Sequence, residues 1–211
     1  MARLPEHTEE QALWQSIKAG DKQGFNTLFR VYYSELYYYG FKIIPDPDFV
    51  KECIQEVFIR VWETRQSLAD IENIKAYLIV CVRRMIFVQK KKGKSIQTVE
   101  VGKFENSIFF FDVNEFEKHE EISDELRRVL LNAINSLTTK QRELIMLFFY
   151  HELPYSEIAE VTGISIQAVR NLMYRTLIHL RESLGEKSIQ SMSNLFFMLF
   201  SSVPLKKDVK L

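Results

Sequence analysis

The sequence predicts an all-α fold: two small helical domains joined by an acidic linker, the C-terminal one built around a helix-turn-helix. Three observations point there. Helix breakers are scarce, with 7 glycines and 5 prolines among 211 residues, against abundant Leu, Ile, Glu, Lys, Arg and Gln. Apolar residues recur at helical spacing through two long blocks. Between the blocks lies a stretch that loses that spacing and collects acids. With 46% hydrophobic and 27% charged residues, the chain can bury proper cores.

In the first domain, residues 1–95, the segment "DKQGFNTLFRVYYSELYYYGFKII" opens on Asp21, a good helix cap, and ends before Pro45 and Pro47, which suit a turn. Val50, Ile54, Val57, Phe58 and Val61 then form one stripe of a helix. Ile74, Tyr77, Leu78, Cys81, Val82 and Met85 repeat the pattern in a second long helix, expected to face the first. The intervening "TRQSLADIEN" has no such stripe and holds Ser, Asp and Asn, which predicts a loop. Residues 96–121 are the predicted linker, where Phe109, Phe110 and Phe111 are unusual for a solvated tether and suggest that part of it docks. The second domain, residues 122–185, reads as four helical segments: "ELRRVLLNAINSL", "TTKQRELIMLFFYHE", "PYSEIAEV" and "SIQAVRNLMYRTLIHLRESL". In the tail, residues 186–211, Ile189, Met192, Phe196, Leu199 and Phe200 make an amphipathic stripe too short to span a bilayer and expected to cap the second domain.

The net charge is zero, yet the charges are segregated. Arg83 to Thr98 carries six cations, among them Arg83, Arg84, Lys90 and Lys91, and no acid. Glu100 to Glu125 carries nine acids and two lysines. Val161 to Arg181 carries three arginines and again no acid. Two basic blocks therefore flank an acidic spacer, a distribution suited to a nucleic-acid partner. Cys53 and Cys81 both sit in apolar helical contexts and read as two buried, reduced thiols, with neither disulfide nor zinc spacing. The N-terminus lacks the apolar core of a secretory signal and no run approaches membrane-spanning length, so a cytoplasmic location is expected. The four histidines are scattered, no Gly-rich phosphate loop is present, and no nucleophile stands beside a base. These absences argue against an enzyme and imply neither cofactor, nor metal, nor small-molecule substrate.

The sharpest local signal is "YSEIAEVTGISIQAVRNLMY". Ile158, Ala159, Ile164, Val169 and Leu172 are expected to face a shared interior, with Ala159 small where helices cross. Gly163 falls where the turn needs a positive φ, and Ser165 suits the N-cap of the second helix. That helix is expected to run from about Ser165 to Leu184 with Val169, Leu172, Met173, Leu177 and Leu180 inward. Gln167, Arg170, Asn171, Tyr174 and Arg175 then face outward at the end that enters a major groove in such motifs. Gln and Asn can pair bidentately with adenine, and Arg with guanine or phosphate.

Taken together, "ECIQEVFIRVWE", "IENIKAYLIVCVRRMIFVQKKK", an acidic linker and "SLTTKQRELIMLFFYHELPYSEIAEVTGISIQAVRNLMYRTLIHLRESL" resemble the bacterial RNA polymerase sigma factors of the extracytoplasmic-function class, over about residues 10–185. The resemblance implies that residues 1–95 correspond to sigma region 2, which binds core polymerase and the minus-ten promoter element. Residues 122–185 would correspond to region 4, which reads the minus-thirty-five element. It implies polymerase contact through Glu52, Gln55 and Glu56, with Glu52 standing where the family usually has aspartate. It places strand capture on the loop from about Gln66 to Asn73 and on the following helix, with Asn73, Tyr77, Arg83, Arg84, Lys90 and Lys91. Tyr77 also lies on the apolar stripe and reads equally as core. Arg84 stands where many members have asparagine, and Val88 and Gln89 replace the usual Asp-Tyr pair, so promoter preference is expected to differ. Upstream reading falls to Ser165, Gln167, Arg170, Asn171, Tyr174 and Arg175. The linker would thread a nucleic-acid path inside the polymerase, or act as a plain tether. An anti-sigma factor is a further implied partner, and the tail reads alternatively as a docking site for it or as a membrane-surface helix. The rival reading is a helix-turn-helix regulator that is not a polymerase subunit.

Overall fold

The computed structural model describes residues 7–91 and 124–200, with side chains described for 9–91 and 128–184. The described residues are helical, with no strand among them. By Cα proximity the chain divides into two compact units, Met1–Phe109 with Ser156–Ser165, and Phe110–Tyr155 with Ile166–Leu211.

The first unit begins with α1, His7–Lys18, and α2, Lys22–Ile43. The Asp21 carboxylate accepts from the N–H groups of Gln23 (2.9 Å) and Gly24 (3.1 Å), which satisfies two of the donors that a helix start leaves open. α3, Pro47–Glu63, starts in the same way, with Pro47 in its first turn and the Asp46 carboxylate accepting from Asp48 and Phe49. The apolar stripe predicted for α3 is buried in full: Val50, Ile54, Val57, Phe58 and Val61. α2 and α3 approach closely at Gly40, where an added Cβ would stand 2.8 Å from Val50 Cγ1. A 3₁₀ turn, Arg65–Ser67, and an irregular loop lead to α4, Ile74–Lys91. The buried side of α4 is Ile74, Ala76, Leu78, Ile79, Val82, Met85 and Ile86.

Tyr77 and Cys81, expected on the inner stripe, lie at its edge and are half-buried. The reading of Cys81 as a buried thiol is therefore corrected, while Cys53 is buried as expected. The core face of α4 lies further round the helix than the periodicity predicts, because Ala76 and Ile79 share the core with Leu78 and Val82.

In the second unit, α5 spans Asp124–Ser136 and α6 Thr139–Ile145, after which the helix widens into a π turn at Met146–Tyr150. The Thr138 backbone N–H donates to Gln141 Oε1 at 3.0 Å, holding the start of α6. Arg142 is buried and its Nη1 donates to the Asn135 carbonyl at 2.7 Å, so a guanidinium closes the end of α5. α7, Tyr155–Thr162, which from Ser156 on groups with the first unit, buries Ile158, Ala159 and Val161. α8 runs Ile166–Phe200, well past the expected end at Leu184. Gly185 does not stop it, so part of what the sequence offers as a separate tail continues the same helix. The acidic linker and the tail side chains lie outside the described residues.

Candidate functional site

Three surfaces carry the residues singled out from the sequence. On α3, burial of the apolar stripe leaves Glu52 and Gln55 exposed and Glu56 half-buried. Arg60 Nε reaches Glu56 Oε1 at 3.0 Å, one turn on, a surface pair of small energetic weight. Ile59 is 52% exposed and lies one turn beyond Gln55 on this same polar face. Sequence reading missed it. The signal was available, since an isoleucine outside the stripe has no place in the core and an exposed apolar side chain among polar ones suits a protein partner.

The second surface is the loop and helix that follow α3. Asn73 acts as a cap: its Oδ1 accepts from the Ala76 N–H at 3.0 Å, so this candidate strand-binding residue has a structural task at the start of α4. A cavity of about 290 Å³ opens between α3 and α4. Val57, Val61, Met85 and Val88 supply apolar walls, and Arg60, Thr64, Tyr77, Cys81 and Arg84 supply polar ones. Burial pushes the Tyr77 phenol up to about 12, and a hydrogen bond donated to the Cys81 sulfur adds to this. Tyr77 is thus a neutral, half-buried ring at the cavity wall, and Arg84 is exposed beside it. Arg83 lies over the Phe87 ring at 4.9 Å. Lys90 and Lys91 complete the cationic end of α4. The structure brings Tyr77 and Arg84 together at one cavity, and sets Lys90 and Lys91 further along the helix.

The third surface is α8. Gly163 adopts φ +74, as the turn before this helix requires, with open space around it. Ser165, Gln167, Arg170, Asn171, Tyr174 and Arg175 are all exposed, and Tyr174 reaches 62%. Gln167 Nε2 donates to Asn171 Oδ1 at 3.0 Å, an i to i+4 pair that holds both amides on the outer face. Inward lie Val169, Met173, Thr176, Leu180 and Leu184, with Leu172 and Leu177 half-buried. Thr176 fits because its hydroxyl donates to the Leu172 carbonyl at 2.7 Å. Ile164 departs from expectation: it is 39% exposed rather than packed, because the left-handed residue before it redirects the chain. Among the described residues no group of three or more His, Cys, Asp or Glu side chains could hold a metal ion.

Two family models match in this order, Sigma-70 region 2 over residues 28–94 and Sigma-70 region 4 over residues 127–180, together more than half of the chain. The chain belongs to the sigma-70 family. The curated relatives it resembles include sigma factors of the extracytoplasmic-function class. It is 23% identical over 186 residues to the ECF RNA polymerase sigma factor SigK of Mycolicibacterium vanbaalenii, covering 87% of this chain and 94% of that one. It is 24% identical over 196 residues to the ECF sigma-E factor of Escherichia coli, covering 87% and 96%. Among solved structures it resembles CnrH in complex with the cytosolic domain of CnrY, with TM-score 0.53, 16% identity, and 81% and 93% of the two chains covered. That likeness concerns the fold. As a sigma factor the chain directs transcription initiation, a role performed with core RNA polymerase on promoter DNA. The rival reading, a helix-turn-helix regulator outside the polymerase, does not explain the region 2 match and is not favoured. No described helix is long and apolar enough to cross a membrane.

Proposed function

We propose that the sigma factor divides its work among these three surfaces. Glu52, Gln55 and Glu56, with Ile59 among them, meet the core polymerase. The loop from Gln66 to Asn73 and the outer side of α4, with Tyr77, Arg83, Arg84, Lys90 and Lys91, hold the opened minus-ten strand. Ser165, Gln167, Arg170, Asn171, Tyr174 and Arg175 on and before α8 read the minus-thirty-five element. In this reading residues 1–95 and 122–185 are the two functional domains, 96–121 their connection and 186–211 the tail. The protein works in the cytoplasm, catalyses no reaction of its own, and takes an anti-sigma factor as an additional partner.

The observation that carries the reading is the exposed face of α8. In a protein of zero net charge, the only formal charges from Val161 to Arg181 are three arginines, and Gln167, Arg170, Asn171, Tyr174 and Arg175 project outward while Val169, Met173 and Leu180 are buried. The cavity between α3 and α4 supports the middle assignment. Its apolar walls and Tyr77 suit an unstacked base, and Arg60 and Arg84 suit the flanking phosphates.

The polymerase surface is tested by reversing charge at Glu56 and adding it at Gln55, as Gln55→Lys with Glu56→Lys. Both side chains lie outside the core, so circular dichroism should be unchanged. Affinity for core polymerase should fall by about ten-fold or more, since placing the wrong charge in a charged interface costs upward of about 1.4 kcal/mol. Unchanged co-purification with core polymerase would remove α3 from the interface.

A further inference from the structure

We propose that Trp14 of α1 is a positioning residue for promoter opening: one buried indole fixes both the strand-capturing loop and the aromatic wall of the cavity behind it. The proposal rests on reading that loop as the capture element, and it gives a role to α1, to which no surface above was assigned.

The loop has little to hold it from within. After the 3₁₀ turn its own backbone offers a long contact, Leu68 N–H to the Arg65 carbonyl at 3.4 Å, and the next local bond is made by Asn73 at the start of α4. Residues 69 and 70 are instead held from α1. Trp14, 1% exposed, donates its indole Nε1–H to the Ala69 carbonyl at 3.0 Å. One residue along, Gln15 Nε2 donates to Asp70 Oδ1 at 2.8 Å, and the Lys18 ammonium closes on the same oxygen. These two contacts hold the Asp70 carboxyl below its usual range, Lys18 most strongly, although Asp70 itself stays open to solvent.

The same indole meets Tyr77 edge to face, with ring centroids 5.3 Å apart and planes at 70°. Tyr77 in turn lines the cavity wall beside Cys81. Trp14 therefore couples two parts of the capture site that are distant in sequence, the loop peptide at 69 and the ring at 77. An unanchored loop would have to be ordered when it receives a strand, at a cost in chain entropy for each residue fixed. A loop already held by a buried hydrogen bond meets that strand in place, as preorganised sites do. Exposed ion pairs contribute little to stability, so the Gln15, Lys18 and Asp70 contacts make better sense as orientation than as a source of folding energy.

The test uses holoenzyme assembled from core polymerase and the full chain. The template pool is melted beforehand across the downstream element, with the non-template bases there randomised, and the transcripts are sequenced to give base preference. Trp14→Phe keeps a ring against Tyr77 and removes the N–H donor. Asp70→Ala, at a solvent-exposed position, leaves the core packing untouched. Trp14→Phe should flatten base preference by about five-fold, the equivalent of one net hydrogen bond. Asp70→Ala should act in the same direction. Core affinity should be unchanged for both.

A purely structural Trp14 would lower core affinity while leaving preference intact, and that result overturns the proposal, as does wild-type preference in both variants. Gln66→Ala and Leu68→Ala separate the two levels of the argument. If they alter preference and Trp14→Phe and Asp70→Ala do not, the positioning role fails and the loop assignment stands. If they too leave preference intact, the loop assignment fails and the positioning role with it.

Discussion

Replacing Glu152 by glycine should stabilise the second unit. Glu152 is the one non-glycine residue with positive φ among the described residues, at +57. It follows the π turn at Met146–Tyr150, and the chain closes over it by a bond from the Leu153 N–H to the Leu147 carbonyl at 3.0 Å. This is the position beyond a helix end where glycine is favoured. Left-handed backbone costs a residue bearing a β-carbon about 1–2 kcal/mol. Glycine would remove that cost and return about 0.5–1 kcal/mol through its freer unfolded chain. Removing a carboxylate from the negative end of a helix adds about 0.3–1 kcal/mol. The expected net gain is about 1 kcal/mol, or about 4–8 °C in the melting of a unit this size.

Both tryptophans, Trp14 and Trp62, lie in the first unit. The melt followed by far-ultraviolet circular dichroism should therefore shift upward, while the tryptophan-fluorescence transition stays in place. Glu152→Ala separates the causes, since alanine loses the charge and keeps the β-carbon. Equal melting of the alanine and glycine variants would refute the backbone argument.

Arg170→Ala or Gln167→Ala should cost about 1–3 kcal/mol on promoters carrying the preferred base and little on others; an equal loss on all promoters, seen in binding titrations, would show that these side chains only touch phosphate. Cysteine labelling at pH 8 should spare Cys53, because burial pushes its thiol up to about 11 and leaves roughly one molecule in a thousand as the reactive thiolate. Cys81, also raised by burial but set in the cavity wall, should label first, and more slowly than in urea. Mass spectrometry that finds Cys53 modified first would contradict this order.

Much of the fold was legible because its signals are local. Asp21 and Asp46 cap by reaching donors two or three residues away, and Pro47 fits a helix start without any tertiary help. The Val50 to Val61 stripe follows from periodicity, and Gly163 from the turn it occupies. What escaped depends on direction or distance. Ile164 follows a residue in left-handed conformation, so helical phase no longer tells which way it points. The π turn and the left-handed Glu152 carry no glycine to announce them. α8 passes Gly185 because one helical glycine costs only about 1 kcal/mol, too little to end a helix by itself. The Trp14 to Ala69 bond joins residues 55 apart, which no periodicity records. The candidate sites divide along the same line. The outward face of α8 could be read from spacing, whereas the cavity behind Tyr77 depends on how α3 and α4 pack.

Start-site mapping tests the central claim most directly. Purified protein is added to core RNA polymerase on a genomic library of the source bacterium, and the 5′ ends of the transcripts are sequenced. The division of labour set out above predicts a new set of starts sharing two sequence elements at fixed separation, with the upstream one altered by Arg170→Ala and the downstream one by Arg84→Ala. Starts identical to those of core polymerase alone would contradict it.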